Sequence, residues 1–248
     1  MNLTLVALYG PKPQALAGLL LEIQAGLSNQ LGDAFSPYAI EQIHATLVGL
    51  EGYRTEAGIL NSSLLETGGA HGPMDLDGLF RFLLHTPLLP LNIRIGGFQR
   101  HASYPLTSRG QHLYARSFVL RRREAVVIGW PVNNDKYPMS LDRLRRHCMN
   151  YNVLHKYHQG EADVDNDLFM VLGRLNCERI SPEELTSVES YMRKLLSSRQ
   201  PLDFTIGVET LSVVAYDDRS LPTSLSRKYP LGKIQDKVDS LGRMYEQK

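Results

Sequence analysis

Apolar residues follow two rhythms along this chain. Continuous or alternating runs predict strands at Leu3–Tyr9, Ile43–Leu50, Leu91–Phe98, His112–Leu120, Glu124–Val132, Leu168–Leu175 and Leu202–Asp218. The last is long enough to be one strand or a strand pair. Spacings of three and four predict helices from Pro13 to Leu31, from Leu76 to His85 before Pro87, from Leu141 to about Tyr157, and from Pro182 to about Ser198. Ser140 is read as a helix cap. Ser181, Pro182 and Glu184 have the order of a capping box with proline at the first helical position. Ile234, Val238 and Leu241 form an apolar stripe that predicts a docked terminal helix.

The connections carry their own signals. Residues 51–72, rich in Gly, Ser and Thr, read as a surface insertion with at most a short helix. Gly96 and Gly97 suggest a bulge or a close backbone approach. The predicted order is strand-helix-strand, helix, three strands, helix, then strand-helix-strand. Two similar units flanking a middle section imply a faint internal duplication and an α+β protein whose two sheets or lobes meet at a groove. Residues 1–248 are read as one bilobal domain, with 219–248 as a C-terminal extension.

Composition narrows this little. The 248 residues are 43% hydrophobic and 21% charged, an ordinary globular balance with ample surface to bury. A net charge of +1 supplies no global field for nucleic acid or membrane, so a polyanion would need a local patch. Cys148 and Cys177 are too few for a disulfide scaffold, although they leave one bridge open. The start, MNLTLVALYGP, lacks the basic and long apolar regions of a signal peptide, and no run approaches the roughly 18 apolar residues of a membrane span. A cytoplasmic protein is expected.

The candidate chemistry lies on two strands. His44 and Thr46 are two residues apart in IHATLVGLE, so they project from one face of a strand. Phe169 and Val171 occupy the same spacing in LFMVLGRLN. His44 reads either as a pocket-lining group or as a satisfied structural histidine. No His/Cys ligand spacing, Gly-x-Ser-x-Gly elbow or Walker loop is present, so neither a metal nor a cofactor is expected.

The run His44-Ala45-Thr46-Leu47, with LNIRIGGF, AVVIGWPV and FTIGVETLSVVAYDD in that order, resembles the 2H phosphoesterase superfamily, which includes RNA 2′,3′-cyclic phosphodiesterases. The resemblance implies two lobes of antiparallel sheet around a central groove, with helices outside. Each lobe would present His-x-Thr or His-x-Ser. In the family the second motif continues as Leu-x-Arg, and here Phe169-Met170-Val171-Leu172-Gly173-Arg174 keeps only the leucine and the arginine.

By this resemblance His44 and Thr46 are the catalytic residues, and a cyclic phosphodiester, nucleotide or RNA end is the expected ligand. Phe169 cannot transfer a proton, and Val171 cannot hold a phosphoryl oxygen. Reduced activity or binding alone is expected, and a protein-interaction module that keeps the fold remains an alternative. Phe169, Val171 and Arg174 are the expected substrate-binding residues. Tyr114 and Arg116 join them as one face, with His112, of the expected strand HLYARSF. Phe169 could stack on a base. Arg174 reads equally as a phosphate partner or a strand-end ion pair, and Tyr114 and Arg116 equally as an exposed strand face. The Arg121–Arg123 triplet reads either as a phosphate contact or as a solvated turn, and His101, His112, His155 or His158 as a replacement for the second histidine or as a surface or capping group.

Overall fold

A computed structural model describes residues 1–68, 71–121, 123–160 and 162–245. Arg122 of the arginine triplet, Gly69 and Ala70 of the expected insertion, Glu161 of the acidic loop and residues 246–248 lie outside the described residues.

The strands are β1 (Asn2–Ala7), β2 (Phe35–Pro37), β3 (Ala45–Gly49), β4 (Gly52–Thr55), β5 (Gly58–Asn61), β6 (Leu91–Ile95), β7 (Phe118–Arg121), β8 (Glu124–Pro131), β9 (Leu168–Leu175), β10 (Leu202–Ile206), β11 (Leu211–Tyr216) and β12 (Arg227–Pro230). The helices are α1 (Gln14–Leu31), α2 (Ser62–Glu66), α3 (Leu76–His85), α4 (Leu113–Arg116), α5 (Ser140–His147), α6 (Pro182–Ser198) and α7 (Val238–Gly242). The fold is α+β, and its ten-stranded main sheet has antiparallel pairings.

The main sheet runs β10-β6-β8-β9-β3-β1-β11-β12, with β7 on β8 and β2 on β9. Its two halves meet where β3 and β9 pair at a single position, Ala45 with Met170. One face is covered by helices. Leu20 of α1, Phe80 of α3, Leu144 of α5 and Met192 of α6 join Leu5, Leu47, Ile93, Met170 and Val213 in one large core. Along α1 the buried positions Leu16, Leu19, Leu20, Ile23 and Leu27 follow the helical period, so one stripe meets the sheet.

The other face carries two separate small clusters. One, on the β8 side, holds Phe98, Phe169, Trp130 and Ile128; the other, on the β1–β11 side, holds Val6, Tyr9, Val214 and Tyr216. The space between them lies over the β3–β9 junction.

Several expected elements change. The strand predicted over His112–Leu120 is a helical turn followed by the shorter β7. His112 Nδ1 accepts from the Tyr114 amide at 3.2 Å and so caps α4. The helix predicted to reach Tyr157 stops at His147, passes through a tight turn, and ends at Asn152 in a left-handed conformation (φ 56°). The chain must then extend so that His155 and His158 reach Asp165 and Asp142. Ser140 is the first residue of α5 and makes no capping bond, whereas Ser181 and Glu184 form both bonds of their capping box.

The described part of the expected insertion contains the β4–β5 hairpin and α2, anchored by buried Asn61, whose side chain accepts from the Leu64 amide. Leu202–Asp218 is two strands placed on opposite halves, β10 beside β6 and β11 between β1 and β12. Gly96 and Gly97 have φ of 73° and 75°, and a Cβ on Gly97 would meet Pro201 at 2.8 Å, so the close approach is the operative feature. Residues 219–248 supply β12 and α7, and Ile234 and Leu241 are fully buried. No disulfide joins Cys148 and Cys177.

Candidate functional site

The two central strands share an irregularity. Between β1 and β3 the register runs Leu5–Val48, then Val6–Thr46, so Leu47 is an extra residue. Between β8 and β9 it runs Ala125–Gly173, then Val126–Val171, so Leu172 is extra. Each bulge falls on the leucine directly after the two-residue-spaced pair, Phe169/Val171 within β9 and His44/Thr46 at the entry to β3, which starts at Ala45 where a strand was expected from Ile43. A bulge frees a backbone carbonyl from the ladder.

Different side chains take up the freed groups. Arg145 Nε donates to the Leu47 carbonyl at 2.9 Å, and Nη2 to Thr46 at 2.9 Å. Its Nη1 donates to the carbonyls of Asp165 and Asp167 at 2.9 and 3.1 Å. This buried guanidinium therefore joins the halves of the sheet beside their single backbone pair. On the other strand, the Leu172 carbonyl accepts from the Tyr38 amide at 2.9 Å and from Gln24 Nε2 at 2.8 Å.

His44, Thr46, Phe169, Val171 and Arg174 all line one groove of about 500 Å³ over this junction. Ala45 and Met170, between the paired positions, are fully buried on the helical side. The period-two reading of both strands therefore holds at the site itself.

His44 Nδ1 lies 2.7 Å from the Gln42 carbonyl. A carbonyl only accepts, so Nδ1 carries the proton and Nε2 is left as an acceptor. Burial pushes this imidazole down to about 4, with the Gln42 carbonyl opposing and Lys12 adding to the shift. His44 is thus neutral near pH 7. It can accept a proton or a hydrogen bond, but it is a poor proton donor. Tyr9 meets the ring edge-on at 6.0 Å between centroids.

The groove walls are cationic despite the near-neutral chain. Seven cationic side chains face three carboxylates. Arg145 is fully engaged as described. Arg109 pairs with Asp165 and Asp167 at 3.7 and 3.9 Å. Arg174 donates to the Tyr38 hydroxyl at 3.1 Å and pairs with Asp218 at 3.2 Å, so at least one of its expected roles, the strand-end ion pair, is occupied. Among the described residues Arg121, Arg123, Lys156 and Arg219 make no ion pair.

Two aromatic rings organise this charge. The Arg121 guanidinium lies over Phe169 at 4.3 Å, and Arg109 lies over Tyr157 at 4.3 Å. Burial would raise the Tyr157 phenol, yet Arg121, with Lys156 and Arg109, holds it below its ordinary value. Phe169 therefore offers Arg121 a platform where the sequence suggested stacking on a base.

Tyr114 and Arg116 do not line the groove. They lie on α4 instead of a strand. Arg116 is buried against Asp167 at 3.0 Å, and Trp130 Nε1 donates to the same carboxylate at 2.7 Å. Tyr114 packs against the Phe98 cluster. Both support the wall from behind.

His155 does line the groove, but its Nε2 is 2.9 Å from Asp165 and the side chain is only 4% exposed. Burial, reinforced by Arg145, pushes it down to about 3, and its Nδ1 is buried without a hydrogen-bond partner. His158 is similarly tied to Asp142 at 2.8 Å. The sequence did not single out Arg145, Arg109, Lys156, Tyr157 or Arg219 as site residues. The arginine triplet was the one visible signal of the cationic wall.

Among the described residues, no group of three or more His, Cys, Asp or Glu is placed to hold a metal ion, and no helix is long and apolar enough to cross a membrane. A solved structure, that of TT0787 of Thermus thermophilus, aligns with 93% of this chain and 98% of its own, at 13% identity and a TM-score of 0.41. No protein-family model and no curated protein matches the chain.

Proposed function

We propose that this protein is 2H phosphoesterase-like and binds a nucleotide or RNA end in the groove, with His44 as the one remaining acid–base group. The halves of the sheet correspond, on this reading, to the two lobes of that fold. Equivalent bulges at Leu47 and Leu172 support the correspondence, because they give both strands one geometry at the motif. The observation that carries the function is the placement of neutral His44, with Nε2 free to accept, beside the Thr46 hydroxyl at the floor of a cationic groove.

That arrangement favours binding over turnover. Opening a cyclic phosphodiester needs a base for the attacking water and an acid for the departing oxygen. His44 can serve as the base. Phe169 supplies no acid, and His155 is held on Asp165. Losing one such group costs about 10²–10⁴-fold in rate. Adenosine 2′,3′-cyclic monophosphate should bind, as read by calorimetry, and turn over slowly. That turnover should disappear in His44→Ala. Turnover that persists in His44→Ala would refute the catalytic assignment, and no binding of any nucleotide would refute the reading of the groove.

A further inference from the structure

Resting on that reading of the groove, we infer that its preferred ligand is a nucleotide ending in a phosphomonoester, a dianion, over a cyclic diester, and that Arg121 stacked on Phe169 makes the choice. The position equivalent to His44 on the second strand is occupied by a phenyl ring. A phenyl ring there, unlike an imidazole, can neither give nor take a proton and presents an uncharged aromatic face. The Arg121 guanidinium lies on that surface at 4.3 Å, and Arg121 Nε is buried with no hydrogen-bond partner.

A ring holds a guanidinium in place without neutralising it, unlike a carboxylate. Arg121 also hydrogen-bonds the Tyr157 hydroxyl, a neutral partner, which leaves its charge and the other N–H groups of its planar fork for phosphoryl oxygens. Arg123, Lys156 and Arg219 line the same groove without an ion pair among the described residues, so cationic charge there is left unmatched. Such a wall rewards ligand charge. A phosphomonoester carries about −1.5 to −2 near pH 7, as phosphorylated side chains do. A cyclic diester carries one negative charge. His44, neutral and free at Nε2, is placed to accept a hydrogen bond from a ribose hydroxyl.

Phe169 acts here through Arg121 and is a positioning residue. Loss of the ring should release Arg121 from the groove. Loss of Arg121 should leave the ring with no part in discrimination.

The test compares adenosine 2′-monophosphate, adenosine 2′,3′-cyclic monophosphate and inorganic phosphate by calorimetry at fixed ionic strength. Wild type is set against Arg121→Gln, Phe169→Leu and the double substitution, with Arg121→Lys as the variant that keeps charge but loses the fork. The monoester should bind at least about tenfold more tightly than the cyclic ester, a difference of about 1.4 kcal/mol. Inorganic phosphate should bind more weakly than the monoester. Arg121→Gln should bring the monoester-to-cyclic ratio to within about threefold, and Arg121→Lys should lower it in part. Phe169→Leu should reduce the ratio in wild type and change nothing in the Arg121→Gln background, the coupling expected of residues that act together.

Equal binding of the two nucleotides, or an Arg121→Gln ratio unchanged from wild type, would overturn the inference while leaving the groove reading intact. Inorganic phosphate binding as tightly as the monoester would overturn its nucleotide part. Failure of both nucleotides to bind would overturn the groove reading itself, and the inference with it.

Discussion

Strands β3 and β9 are built alike and equipped differently. Each has a two-residue-spaced pair facing the groove, a buried residue between the pair, and a bulged leucine directly after it. At the entry to β3 the pair is an imidazole, one residue before the strand, and a hydroxyl; on β9 it is a phenyl ring and an isopropyl group. The backbone irregularity is present on both strands, with polar side chains on one and apolar side chains on the other. Its carbonyl is satisfied in both strands, by Arg145 in one and by Gln24 and Tyr38 in the other. Packing therefore maintains the bulge without help from the site. On β9, Phe169 lies under a cation at the groove, the guanidinium of Arg121.

The largest effect should come from cutting the link between the strands. Arg145→Met leaves four carbonyls without their buried donor and removes one of the cationic partners of Asp165, which keeps Arg109 and His155. Breaking a buried charged network by removing one member costs about 3–5 kcal/mol. Chemical denaturation should show a loss of that order. A loss below about 1 kcal/mol would mean that the single Ala45–Met170 pair and the helical core already hold the halves together.

Next in size is the asymmetry in chemistry. His44→Ala should lower turnover of adenosine 2′,3′-cyclic monophosphate by about 10²-fold or more. Restoring the other strand with Phe169→His and Val171→Thr should work in the opposite direction, raising turnover by at least about tenfold, since both positions already face the groove. The same pair of changes removes the platform under Arg121 and should weaken preference for the monoester. No gain in turnover would show that the second strand lacks more than two side chains.

The smallest expected effect concerns proton uptake. His44 and His155 are held at about 4 and about 3, below the unfolded value of about 6.5. Between those limits the unfolded chain binds more protons, so stability falls as pH falls. Asp165 is held below the ordinary carboxylate range, because His155 and Arg145 outweigh burial. Its contribution is complete above the unfolded value of about 3.9 and is lost only at lower pH. Moving from pH 7 to pH 5 should therefore lower stability by up to about 2 kcal/mol for each of these imidazoles. Thermal melts across that range measure this. His44→Phe, which gives both strands the same residue, should flatten the dependence, and an unchanged slope would place it elsewhere.

Local pattern made much of the frame legible. Alternation placed His44 with Thr46 and Phe169 with Val171, and both pairs reach the groove because side-chain direction on a strand depends on neighbours one and two residues away. The capping box at Ser181 is likewise a matter of three residues. HLYARSF misled because a strand-like pattern was overridden by two partners distant in the chain. His112 caps a helical turn, and Arg116 is drawn to Asp167. The helix expected to reach Tyr157 was cut short for a similar reason, since His155 and His158 are required at Asp165 and Asp142.

The sequence by itself determined which side chains stand on each central strand and that the second strand lacks a proton-transfer group. Those properties are local, set by residue type and strand period. Only the tertiary structure decided that β3 and β9 lie side by side, that Arg145 fastens them, and that Arg121 rests on Phe169 while Arg109 rests on Tyr157. These contacts join residues 48 to 125 positions apart, and no local rhythm encodes which distant cation meets which ring.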